Sequence, residues 1–144
     1  MLIGSKNKKE LLDNELTNYL DRTIRDRAEI NVGNASSINV GLLYSTLTIL
    51  IYLLSRKRRN NSLHMHMIMY LSDEINSFID YTTSGKSDEH KLKNLARKAE
   101  LLLRACKNAM DLAETKTRKF KQIEHVYIFK DEKNIISSYL DITQ

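Results

Sequence analysis

Three features of the 144-residue chain predict an all-α fold, an up-and-down bundle of four main helices followed by a short C-terminal helix. Apolar residues recur at three- and four-residue steps through four long segments, the period of a helix with one buried face. Helix start and stop residues fall at the edges of those segments. Proline is absent and glycine occurs four times, whereas a turn-rich β architecture needs such residues every ten positions or so. A chain of this length supports one modest core, so residues 1–144 are expected to form a single helical domain with a flexible start at 1–6.

The first helix is expected over residues 7–30, with Asn7 and Glu10 as a capping box and Leu12, Leu16, Leu20 and Ile24 as its buried stripe, widened by Leu11 and Tyr19. Its other face alternates in sign through Asp21, Arg22, Arg25, Asp26, Arg27 and Glu29, the pattern of a solvated surface. Gly33 then stops the chain, and Ser36 or Ser37 is the expected cap of a second helix over 38–57. Residues 30–55 carry no charge, and residues 38–54 are apolar on every side, so this helix is expected to be the central one, sheathed by protein or by lipid. Asn60, Asn61 and Ser62 restart the chain as a third helix over 62–81, with Met67, Ile68, Leu71, Ile75, Phe78 and Ile79 at helical steps. Residues 82–86 read as a loop. Ser87 is the expected cap of a fourth helix over 88–118, whose stripe runs from Leu92 through Ala99 and Cys106 to Ala113 and is extended by Phe120 and Ile123. Residues 126–129 have strand composition, yet one strand finds no partner in such a chain, so a turn and a short fifth helix after Asp131 are expected.

The net charge of +5 is unevenly spread. One basic centre is Arg56, Lys57, Arg58 and Arg59 at the end of the second helix; the other is Lys116, Arg118, Lys119 and Lys121 near the end of the fourth. In an up-and-down bundle these helices end on the same side, and the two centres together form a patch suited to phosphate. Basic residues also stabilise helix C-termini without any partner, although four in a row exceed what a cap requires. Phe120 and Tyr127 are the sole nearby aromatic residues, so sequence-specific single-strand readout is not expected. A second use of the same pattern is a single-pass membrane anchor, with residues 38–54 in the bilayer and the four bases on the cytosolic side. Asn39, Ser45, Thr46 and Thr48 interrupt that run, and the amphipathic neighbours need a protein partner to cover them.

Neither a phosphate-cradling glycine loop, a dinucleotide fingerprint nor a zinc-protease motif is present, and no cofactor or metal is expected. His64 and His66 stand two apart on a helix and point away from each other, as surface or boundary residues. The lone Cys106 lies on an apolar stripe as a core thiol and rules out an internal disulfide framework. Arg59, Asn60 and His64 form an R-N-x-x-x-H run that resembles the signature of HEPN ribonucleases, small all-α proteins that are often dimeric. The resemblance covers six residues. It implies metal-independent RNA cleavage with His64 as general acid or base, Arg59 stabilising the phosphate, Asn60 orienting the pair and the neighbouring bases holding RNA.

The functional expectation is a non-catalytic interaction protein of intracellular, cytoplasmic location. Its basic patch would meet an RNA or DNA backbone or another phosphate-bearing partner. Homo-oligomerisation would cover what so short a chain leaves exposed.

Overall fold

The computed structural model describes residues 5–26, 39–56, 61–86, 88–119 and 127–143. The amphipathic segments are helices α1 (Ser5–Arg25), α2 (Val40–Arg56), α3 (Ser62–Thr83), α4 (Glu89–Lys119) and α5 (Lys130–Thr143), with no strand among the described residues. Residues 27–30, with Arg27 and Glu29, and residues 31–38, with Gly33, Ser36 and Ser37, lie outside that description, as do Ser87, Phe120 and Ile123.

The helix ends differ from expectation where a neighbouring side chain offers the better cap. Since α1 already starts at Ser5, Asn7 lies inside its first turn. Asn39 caps α2: its Oδ1 accepts the Leu42 N–H at 3.0 Å and its carbonyl the Leu43 N–H at 3.0 Å. A residue that interrupts the apolar run is thus the one that starts the helix. At α4 the cap is Asp88, whose Oδ1 accepts from His90 N–H at 3.0 Å. Before it, α3 continues through Thr82 and Thr83, and the turn closes on Gly85 with φ 72°, a left-handed conformation suited to glycine. Tyr81 clasps this turn, donating to the Asp88 carbonyl at 2.8 Å and accepting the Asp88 N–H at 2.6 Å.

The start of α3 is held from three directions. Asn61 Oδ1 accepts the Leu63 N–H at 2.9 Å within the chain segment itself. From α1, the buried carboxylate of Asp13 accepts the Ser62 N–H at 2.6 Å and the Leu63 N–H at 3.2 Å. Tyr127, just before α5, donates its hydroxyl to the same carboxylate at 3.2 Å. Negative charge at a helix N-terminus is favourable, and burial strengthens it by removing competing water. Eight residues along, Asp21 accepts from the Tyr70 hydroxyl at 2.6 Å. The carboxylate expected on a solvated face therefore bonds to α3, and the equal spacing of 13 to 21 and 62 to 70 shows that α1 and α3 run parallel.

Leu12, Leu16, Leu20 and Ile24 are buried as their spacing predicts, each contributing roughly 1.5–3 kcal/mol of transfer free energy. Leu11, by contrast, is 66% exposed. The main correction concerns which helix is central. Against expectation, α4 packs against all four other helices, while α2 packs on α3, α4 and α5 and α1 on α3 and α4. Thus α1 and α2 flank the α3–α4 pair. Ala96, Ala99, Ala105, Ala109 and Ala113, all buried, let neighbours approach α4 closely on several sides. On the other hand, α2 keeps one face open: Gly41, Ser45, Thr48, Ile49 and Tyr52 are exposed. The sheath expected around it is incomplete, because α4 and not α2 fills the middle.

Two stability experiments follow. Asp13→Ala should cost about 2–3 kcal/mol in urea unfolding, since it removes a buried charged acceptor from two N–H groups and a phenol, and Asp13→Asn should cost less. Burial of Tyr139, with the Glu100 carboxylate adding to it and Arg104 opposing, pushes its phenol from 10.0 up to about 12. A raised folded value means the unfolded phenol ionises first, so this stability is complete below pH 10.0 and is lost as pH rises towards about 12. Tyr139→Phe should lessen the alkaline loss in chemical denaturation measured across that window.

Candidate phosphate-binding surface

Arg56 at the end of α2 and the last turns of α4 hold the described part of the expected basic patch, and the geometry of α4 follows from what anchors that helix one turn earlier. Glu114 accepts from Lys133 Nζ of α5 at 2.6 Å and from the Phe129 N–H at 3.4 Å, and Lys133 also meets Asp111 at 3.3 Å. The hydrogen bond that Lys133 donates to Glu114 chiefly raises its ammonium above the ordinary range, so the pair holds its charge. With these carboxylates turned to α5, the cations beyond them are left facing outward.

Lys116 is the exception, forming an ion pair with Glu15 of α1. Arg118 and Lys119 are exposed, and no carboxylate among the described residues pairs with either. Arg56 is exposed at the end of α2, with its guanidinium 5.7 Å from the centre of the Tyr52 ring. Lys57, Arg58, Arg59 and Lys121 lie outside the described residues.

Whether the two centres meet depends on how far each helix runs. Tyr44 donates to the Leu95 carbonyl at 3.3 Å, which sets α2 and α4 level there. Both helices continue in the same direction, so both basic ends face the same way. Twelve residues remain in α2 after Tyr44 and twenty-four in α4 after Leu95, so the end of α4 lies beyond Arg56. The patch is therefore stepped.

Helix α1 adds cations that the runs of like charge do not reveal. The Glu15–Lys116 pair joins antiparallel helices, so the first turns of α1 reach the level of the last turn of α4. Lys8 and Lys9 thereby come to the same end as Arg118 and Lys119. Cations at a helix N-terminus oppose its dipole, so Lys6, Lys8 and Lys9 together were the available signal that another force places charge there.

Of the residues of the ribonuclease resemblance, His64 is described. His64 is only 2% exposed, on the buried stripe with Leu63 and Met67, and its ring lies 4.9 Å from that of Phe129. Its expected surface or boundary position is corrected: residues 127–129 cross the first turn of α3 and cover it. Arg59 and Asn60 lie outside the described residues. Among the described residues, no three His, Cys, Asp or Glu side chains gather to hold a metal ion. No helix among them is long and apolar enough to cross a membrane, and α2 directs Leu43, Leu47, Leu50 and Leu54 into the protein core.

Comparison with known protein families, with curated proteins and with solved structures gives no match.

Cys106 is buried in α4, where desolvation pushes its thiol from 9.0 up to about 12. It should react with a thiol-specific reagent only as fast as the protein unfolds; rapid labelling of the native protein at neutral pH would contradict this placement.

Proposed function

We propose that this chain is a non-catalytic helical interaction protein that self-associates and contacts the phosphates of a nucleic acid backbone through its basic end. The observation that carries the reading is the pair of exposed cations, Arg118 and Lys119, that no described carboxylate neutralises, at the end to which α1 also brings Lys8 and Lys9. A helix C-terminus needs no more than one or two cations to offset its dipole. Arg118 and Lys119, with Lys9 of the antiparallel helix α1, make a field that attracts a polyanion over several ångströms. Such contacts read charge and spacing, not base identity, so discrimination between sequences should be weak. The self-association half of the proposal is supported by the exposed, uncharged side of α2, which an ordinary solvated helix would furnish with charged residues.

The test is titration of the full chain with labelled homopolymeric RNA and single-stranded DNA at increasing salt. Affinity should fall steeply with salt. Arg118→Glu with Lys119→Glu should weaken binding about tenfold or more at low salt, and should reduce the salt slope by about 0.7 for each phosphate that is no longer neutralised. Binding that is insensitive to salt and to these substitutions would overturn the proposal, and cleavage of the probe would favour a ribonuclease.

A further inference from the structure

The exposed face of α4 carries a second group of cations near its start. Arg97 and Lys98, in the third turn, are exposed, and no carboxylate among the described residues pairs with either. Glu89, two turns earlier, meets Lys93 at 3.8 Å. At about 3.6 residues per turn, Arg97 stands between Arg118 and Lys119 on the helix surface, so the two groups share a face. His90, Asn94, Asn108 and Thr115 of that face are exposed as well. Twenty-one residues separate Arg97 from Arg118 and Lys98 from Lys119, which at 1.5 Å per residue of one helix is about 32 Å.

We infer that this face takes double-stranded DNA laid along α4, which it meets at two phosphate contacts one helical turn apart. The inference rests on the phosphate-binding function proposed above and names the form of nucleic acid and its direction on the protein. Spacing is the first reason. A B-form duplex returns the same strand to the same side about every 34–36 Å, roughly 10 base pairs. The two groups fall short of that turn by roughly 2–4 Å, a difference that the long side chains of arginine and lysine span. Arg97 and Lys98 then serve one contact, and Arg118 and Lys119, with Lys9 of α1, serve the other.

The stretch between the groups is the second reason. Its charges are engaged within the fold: Arg104 Nη2 donates to Glu100 at 3.0 Å, and Asp111 lies 3.3 Å from both Lys107 and Lys133. The acids are thereby offset and do not repel the complementary strand, which crosses this face between the two contacts. A single strand, by contrast, is flexible. It gains little from cations set so far apart, because it must first be ordered across a stretch that offers its phosphates no unengaged partner. Duplex DNA, with a persistence length of about 50 nm, is straight over this distance before it binds.

The experiment is fluorescence anisotropy of the full chain with labelled DNA duplexes of about 8, 16 and 24 base pairs and a single strand of about 24 nucleotides, at low salt. Affinity should rise about tenfold or more from the shortest duplex to the middle one, because only the longer probe reaches both groups. The longest duplex should bind more tightly than the single strand. Arg97→Glu with Lys98→Glu should keep the circular dichroism spectrum, change binding of the shortest duplex by less than about threefold and abolish the step with length. It should also lower the salt slope on the longest duplex by about 0.9 for each phosphate no longer neutralised. Lys86→Glu with Lys91→Glu, an equal change of charge away from this face, should leave the step in place. Salt-dependent binding that shows no step, or a step that survives Arg97→Glu with Lys98→Glu or is lost equally in the Lys86 and Lys91 variant, would overturn this inference and leave the phosphate-binding function standing. A single strand bound as tightly as the duplex of equal length would overturn the assignment to double-stranded DNA. Failure of every probe to bind, the single strand included, would overturn both.

Discussion

The Asp13 carboxylate joins the parts of the chain that are furthest apart in sequence. Carried by α1, it accepts the first N–H groups of α3 and the hydroxyl of Tyr127, so one buried anion sets α1 parallel to α3 and fixes the segment leading into α5. The desolvation cost of such a charge is offset because three donors and the positive end of a helix dipole converge on it. With Asp13 in place, Asp21 reaches Tyr70, Glu15 reaches Lys116, and Phe129 lies over His64. The directions in which the two basic helix ends point follow from that registration.

Two surfaces remain after the core is assembled, and they differ in chemistry. One is cationic, where the end of α4 and the start of α1 meet; the other is the uncharged side of α2. They arise from different causes. The cationic end exists because Asp111 and Glu114 are turned to Lys133 of α5 and Glu15 is taken by Lys116, leaving Arg118 and Lys119 without a counter-charge among the described residues. The uncharged side exists because the alanine-rich α4 occupies the centre of the bundle, which pushes α2 to a flank where a hydrophobic helix cannot be covered all round.

Helix number, helix order and most buried positions were legible from spacing alone, because a helix with one apolar stripe has few alternatives. Leu12, Leu16, Leu20, Leu43, Leu47, Met67, Ala99 and Cys106 all lie where periodicity puts them. Caps were harder to read. Local spacing pointed to Asn7, Ser36, Ser37 and Ser87, whereas the described caps are Asn39, Asn61 with Asp13, and Asp88. A cap that comes from another helix leaves no trace in the segment it caps. The basic clusters were visible as runs of like charge, but the pairing of Lys116 with Glu15 and the arrival of Lys8 and Lys9 depend on residues about a hundred positions apart in the chain. His64 was misplaced for the same reason, since its burial is caused by residues 127–129.

By itself, the sequence determined that the chain is helical, where its helices run and that its cations are concentrated near two helix ends, because backbone propensity, apolar period and net charge are properties of short segments. Tertiary structure decided which helix is central, which charges are neutralised and which apolar face stays open. Those outcomes depend on competition among neighbours for the same space: α4, with small alanines on several sides, took the centre, and α2, though more hydrophobic, took the flank.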